Sequence, residues 1–174
     1  VNLRNDKDNI SANEIVEMPA IYKELPDLKD KRVLDLGCGA GNNCIKAIEL
    51  GANYVLGTDI SKNMIELAKK TNANKKIKYK KIGMEDISKI NEKFDLVISS
   101  LAFHYVEDYE KLLKDIYNLL NDNGILIFSQ EHPISTGTLL NKECNFKSKI
   151  KLGDKEYKLV SDYNVVGPRS ANWL

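Results

Sequence analysis

Val33-Leu34-Asp35-Leu36-Gly37-Cys38-Gly39-Ala40-Gly41 reads as a buried strand running into a glycine turn. The segment turns apolar from Lys31 and ends in three glycines at alternate positions. Glycine has no β-carbon, so the chain can turn tightly and bring its backbone against a ligand. Asn43 to Leu50 then reads as a helix, with Gly51 as its C-terminal stop. A helix starting here directs its free N–H groups and positive dipole end toward the turn.

The pattern repeats outward from this unit. Asn53 to Thr58 reads as a second strand, and Ser61 caps a helix carrying Met64, Ile65 and Ala68 at helical spacing. Lys76 to Ile82 alternates Ile77 and Tyr79 (and loosely Lys81) with lysines, as a strand with one polar face does. Phe94 to Ser99 is an apolar, buried strand. Tyr109, Leu112, Leu113, Ile116, Tyr117, Leu119 and Leu120 form one broad helical stripe, which Asn123-Gly124 is expected to end before a fifth strand, Ile125 to Ser129. Strands alternating with helices predict an α/β fold: a doubly wound, mainly parallel sheet with helices on both faces and right-handed crossovers. Ligands of such sheets lie outside the carboxyl ends of the strands, here after Leu36, Thr58, Ile82, Ser99 and Ser129.

Before this core, Ser11-Ala12-Asn13-Glu14 has capping-box form, and Pro19 should kink or divide the helix that follows. After Pro133 the pattern changes: Phe146 to Leu152 and Glu156 to Val160 flank Gly153-Asp154 as a hairpin. The expected organisation is one domain over residues 1–174, with an N-terminal helix region (11–25), a ligand-binding core (31–130) and a substrate-side insertion (131–174) whose hairpin near 146–160 could cover a pocket.

The chain has 174 residues, 43% hydrophobic and 29% charged, ordinary values for one globular domain. Net charge is +1, so no global field attracts nucleic acid or an anionic membrane. No apolar run approaches the ~20 residues of a membrane span. The start, Val1 to Asn9, is polar and mixed in charge, unlike a signal peptide. Cys38, Cys44 and Cys144 are odd in number and irregular in spacing, and His104 and His132 lie near no cysteine. That argues for a reducing, cytoplasmic setting with no disulfide framework and no structural metal. Lysines 69, 70, 75, 76, 78, 80 and 81 form a basic patch, read as a solvated surface.

Asp59 ends the second strand. A carboxylate there can accept hydrogen bonds from both hydroxyls of a ribose, and the glycine loop lies about 20 residues upstream, the spacing expected for that pairing. The alternative is a turn or capping aspartate, with Ser61 as a competing cap.

The glycine segment resembles motif I of class I S-adenosylmethionine-dependent methyltransferases. With Gly37 and Gly39 as the first two glycines of a dinucleotide fingerprint G-x-G-x-x-G, the third would fall at Asn42; the chain has G-x-G-x-G instead. Val55-Leu56-Gly57-Thr58-Asp59-Ile60-Ser61 with Met64 resembles the family's second motif, and Gly83-Met84-Glu85-Asp86-Ile87 its third. Phe94-Asp95-Leu96-Val97-Ile98-Ser99-Ser100 resembles the fourth. Leu119 to Leu126 resembles its helix-turn-strand with a glycine in the turn. The likeness covers roughly residues 30 to 130.

The resemblance implies S-adenosyl-L-methionine as cofactor. Gly37, Cys38 and Gly39 would line its methionine part with backbone, and Asp35 would orient the loop near the amino group. Asp59 would hold the ribose, with Ile60 against the adenine and Met64 nearby. Met84 and Glu85 would border the other adenine edge, and Ser99 or Ser100 would approach the methionine amino group. Many relatives carry Asp or Asn where Gly83 stands, so the adenine amino group would turn to Glu85, Asp86 or a backbone carbonyl. His104, after the fourth strand, is a candidate general base or an ordinary loop histidine. Tyr105, Glu131 and His132 are acceptor-pocket candidates; Phe103 shapes that pocket or anchors the next helix.

Gln130-Glu131-His132-Pro133 and Gly167-Pro168-Arg169 with Trp173 resemble a bacterial subgroup of uncharacterised small-molecule methyltransferases. The family usually has seven strands, and no segment here resembles the last helix and final strand pair. A fragment of a longer protein is therefore expected, with a fifth-strand edge open to homodimer formation. The expected function is methyl transfer to a small-molecule acceptor, without membrane or nucleic-acid partners. Alternatives are a non-catalytic module binding S-adenosylmethionine or S-adenosylhomocysteine, an RNA or protein methyltransferase, and a nicotinamide-dependent oxidoreductase, against which the missing third glycine argues.

Overall fold

The computed structural model describes residues 13–132 and 149–158. The chain divides into two compact units, residues 1–130 and 131–174. Among the described residues no helix is long and apolar enough to cross a membrane.

The first unit contains β1 (Arg32–Leu36), β2 (Tyr54–Asp59), β3 (Ile77–Lys81), β4 (Phe94–Ser99) and β5 (Leu120–Phe128). They pair in the order β3-β2-β1-β4-β5, every neighbour parallel. Parallel neighbours require crossovers. α2 (Asn42–Glu49) joins β1 to β2, α3 (Lys62–Thr71) joins β2 to β3, and α4 (Tyr109–Leu119) precedes β5. The β3–β4 crossover uses only a short 3-10 turn, Met84–Lys89.

Successive residues of β1 point to opposite faces, and each face has its own core. Val33 packs with Val55, Leu96, Ile98 and the buried sides of α2 and α3. Leu34 and Leu36 pack with Leu56, Phe94, Val97 and the α4 stripe of Leu112, Ile116 and Leu119. The sheet is therefore covered on both sides, as the near-continuous apolar run of β1 anticipates.

One boundary differs from the sequence reading, and another lies partly outside the described residues. Ser11 and Ala12 of the expected capping box lie outside the described residues. Asn13–Glu17 forms one π-helical turn, and α1 (Met18–Glu24) follows with Pro19 in its first turn, where the missing N–H costs least. At the other end, α4 stops at Leu119 and β5 begins at once, pairing Leu120 with Phe94. The register then shifts before Leu96 meets Ile125, and Asn123 takes a φ of 61°. Asn123-Gly124 thus marks a bulge inside β5 rather than the end of α4.

In the second unit β6 (Lys149–Leu152) and β7 (Lys155–Lys158) form an antiparallel hairpin. Gly153 has a φ of 61°, the left-handed conformation such two-residue turns demand. The expected ends at 146–148 and 159–160 lie outside the described residues.

Candidate active site

From β1 the chain steps outward to β2 and β3, then returns to β4 and β5 on the other side. The strand order reverses at β1 and β4, and the carboxyl ends there open a crevice. The glycine loop lies on it. Gly37, Gly39 and Gly41 have φ of 72°, 53° and 86°. A β-carbon on Gly37 would stand 2.7 Å from Ala102 Cβ, and one on Gly41 would run into the Tyr79 ring.

The loop is held from beneath. The N–H groups of Gly37 and Cys38 both donate to the Thr58 carbonyl, at 2.8 and 2.9 Å. The Gly39 N–H donates to Asp59 Oδ2 at 2.9 Å, and Asn72 Nδ2 donates to the Ala40 carbonyl at 2.9 Å. Three successive N–H groups are thus committed inside the protein. A pyrophosphate cradle needs such groups facing the ligand. This loop offers a close backbone surface instead, which separates it from dinucleotide sites more firmly than glycine spacing does.

Asp59 has both roles weighed for it within reach. Its Oδ1 accepts the Ser61 N–H at 2.8 Å, a turn contact, while Oδ2 accepts Gly39. A carboxylate has about four lone-pair positions, so acceptor capacity remains. Ile60 is 70% exposed beside it. Its Cδ1 lies 3.5 Å from where a Gly83 β-carbon would stand, with Glu85 Oε2 at 3.1 Å, so a longer residue at 83 would crowd both. Met84 Cε and Met64 Cε lie 3.3 and 3.5 Å from β-carbon positions on Gly37 and Gly39. Two thioether methyls therefore flank the loop.

Asp35 is buried in β1. Its Oδ2 accepts the Cys44 thiol at 3.2 Å, and Oδ1 has no partner among the described residues. Burial pushes its carboxyl up to about 7, against the lowering effect of the Cys44 hydrogen bond and with a further push from Asp59. The hydrogen bond with Cys38, together with burial, holds the Cys44 thiol well above its ordinary value, so it is no nucleophile.

On the β4 side Ser99 Oγ donates to the Leu36 carbonyl at 2.9 Å, fixing β4 to the start of the glycine loop. Ser100 Oγ donates to Glu17 Oε1 at 2.8 Å. His104 and Tyr105 belong to a 3-10 turn, Phe103–Tyr105, their rings 4.2 Å apart. Phe103 is the anchor of that turn: fully buried, it stacks on Phe128 at 4.6 Å and meets Tyr109 edge-on at 5.7 Å. Glu131 and His132 open the second unit. Among the described residues no group of three metal-ligating side chains occurs. The sequence reading missed Glu17, Ser129 and Asn72, which act across long stretches of chain with no local motif.

Residues 27–170 match the family model of a methyltransferase domain. The chain belongs to this methyltransferase family. An uncharacterized protein of Haemophilus influenzae is 40% identical over 172 residues, 95% of this chain and 66% of its own length. A Mesorhizobium loti structure, an S-adenosylmethionine dependent methyltransferase, superposes with a TM-score of 0.76 at 35% identity, covering 88% of this chain and 67% of that one. A Listeria monocytogenes structure assigned to the same class gives 0.67 at 32%, covering 80% and 74%. The chain thus spans about two thirds to three quarters of these relatives. The five parallel strands in this order are the Rossmann-like methyltransferase core, and the cofactor of the class is S-adenosylmethionine. The residues fit that group: the loop has no side chain at 37, 39 or 41 and so presents its backbone closely, and Asp35 keeps a buried oxygen without a partner among the described residues.

Proposed function

We propose that this chain binds S-adenosylmethionine across the β1–β2–β4 crevice and serves methyl transfer to a small-molecule acceptor. One observation carries the reading: the left-handed glycine loop is tied by its Gly39 N–H to Asp59 at the end of the next strand. That bond sets a polar, half-exposed carboxylate against a loop with no side chain at 37, 39 or 41. The bound cofactor supplies an electrophilic methyl on sulfur.

The chain's own residues do the placing. Asp59 takes the ribose hydroxyls, Ile60 and Met64 cover one adenine face, and Met84 and Glu85 border the other. Gly37, Cys38 and Gly39 lie along the methionine part with Asp35 beneath them, and Ser99 and Ser100 form its β4 wall. Alignment of acceptor and methyl is then the main catalytic effect. His104 takes a proton where the acceptor carries one, and Tyr105, Glu131 and His132 serve the acceptor. A net charge of +1 supports a small acceptor over RNA.

Calorimetric titration with S-adenosylmethionine tests this. The parent is expected to bind, and Asp59→Ala, still folded by thermal melt, to bind at least tenfold weaker, about 1.4 kcal/mol. Absence of saturable binding by the full-length protein would sink the proposal. Labelled-methyl assays on small-molecule, RNA and protein pools then test the acceptor class.

A further inference from the structure

Glu17 stands just before α1, at the far end of the chain from the strands it touches. Its Oε1 accepts the Ser100 hydroxyl at 2.8 Å and also the Ser129 hydroxyl. Ser129 has no freedom to turn away. Its Oγ accepts the Leu101 N–H at 3.0 Å, so its own proton is directed at Glu17. A carboxylate oxygen taking two O–H donors is committed as an acceptor and has little capacity left for a ligand. The other oxygen, Oε2, is shut off from solvent and has no partner among the described residues. A secluded carboxyl oxygen without a donor is costly, and the cost is relieved by an N–H group, best a cationic one.

The carboxylate's surroundings locate that group. Ser100 directly follows Ser99, which is bonded to the Leu36 carbonyl at the entrance to the glycine loop. Leu101, with a φ of 49°, turns the segment so that Ala102 approaches Gly37. Glu17 therefore serves the β4–β5 side of the crevice, while Asp59 holds the β2 side. A ligand with its ribose on Asp59 extends its amino-acid end across β1 toward β4. That end carries one permanent N–H cation, the α-ammonium.

We infer that Glu17, fixed by Ser100 and Ser129, binds the α-ammonium of the cofactor's methionine portion. The inference rests on the proposed cofactor reading. It assigns the ammonium to a residue outside every sequence motif, on the segment that precedes the sheet. The Ser100 hydroxyl, committed to Glu17, then positions that carboxylate, while the rest of Ser100 keeps its place in the β4 wall.

The experiment is direct binding to the full-length protein, parent and Glu17→Gln, of S-adenosylhomocysteine and of its analogue lacking only the amino group. Expected is a loss of at least tenfold for S-adenosylhomocysteine in the variant, with affinity for the desamino analogue unchanged. Unchanged analogue binding also shows that the variant is folded. Ser129→Ala should give a smaller loss with the same selectivity. Equal losses for both ligands would mean that Glu17 only braces the fold, and no loss for either would mean that it serves another group; both overturn the inference while leaving the cofactor reading intact. A parent that binds neither ligand overturns both.

Discussion

Asp35 and Asp95 lie on neighbouring strands, at opposite ends of the sheet, and are pushed in opposite directions. Burial raises both. At Asp95 the Arg32 N–H at 2.8 Å and the Asn121 amide at 2.9 Å outweigh it and hold the carboxyl below its ordinary value. At Asp35 the weak Cys44 thiol is the only donor among the described residues, so burial wins and the carboxyl rises from 3.8 to about 7. Glu92 repeats the Asp95 case: burial raises it, but the Tyr54 hydroxyl and the Arg32 guanidinium together bring it below its usual range. Asp95 and Glu92 at the amino end of β4 are thus satisfied, whereas Asp35, near the carboxyl end of β1, keeps one oxygen without a partner among the described residues. The consequence for pH follows from linkage. Between about 4 and 7 the folded chain keeps a proton on Asp35 that the unfolded chain has lost, so this contribution to stability is full below that window and is lost as pH rises through it. The melting temperature of the ligand-free protein should therefore fall from pH 5 to pH 8. Asp35→Asn should flatten that slope and melt no lower than the parent at pH 8. An undiminished slope in the variant would assign the titration to another group.

At the scale of elements, the loop depends on how closely α2 and β3 approach β2. Gly57 makes that approach possible: a β-carbon there would stand 2.8 Å from Cys44 Sγ and 2.9 Å from the Tyr79 ring. Tyr79 in turn lies under Gly41 and donates to the Asn72 carbonyl at 3.0 Å, while the Asn72 side chain holds Ala40. Gly57→Ala overpacks this contact and is expected to lose about 1–3 kcal/mol in chemical denaturation. Cys44→Ala in the same chain should restore part of it, since the two sites share one clash; additive losses would place the strain elsewhere. The glycine loop and Asp59 could be picked out because their signal is local, strand then turn then helix, whereas the close approach at Gly57 shows only in the packed structure. Glu17 could not be picked out, because Ser100 and Ser129 lie 83 and 112 residues away and no periodicity joins them. The start of β5 was misplaced for a different reason. Leu119 and Leu120 fit the helical stripe of α4, yet Leu120 pairs with Phe94, and only the sheet decides between the two. The Asn123-Gly124 pair looked like a helix stop because a left-handed bulge and a helix end demand the same residues.

Across the whole first unit, the strand order leaves β3 and β5 at the margins of the sheet. The two margins are chemically unlike. On β3 Ile77 and Tyr79 are buried while Lys78, Lys80 and Lys81 are exposed; on β5 Ile125 and Phe128 are 44% and 40% exposed. An open edge offers unpaired N–H and C=O groups to a second chain, and lysines oppose that pairing because two like-charged edges must meet. Lys78, Lys80 and Lys81 of the basic patch are thus placed to guard this edge, an expectation with little bearing on stability. Lys80 lies 3.6 Å from Glu92, with side chains 47% and 26% exposed, and an ion pair so exposed contributes about 0–1 kcal/mol. Replacing Lys78 and Lys80 together by valine should therefore leave the melting temperature within a few degrees of the parent. It should also produce concentration-dependent association in sedimentation velocity at low salt that the parent does not show. Raising the salt should promote association in the parent more than in the variant, because only the parent has charge to screen. If the valine variant sediments as the parent does at every concentration, the lysines do not guard this edge, and the twist of β3 alone is enough to keep a second chain from pairing with it.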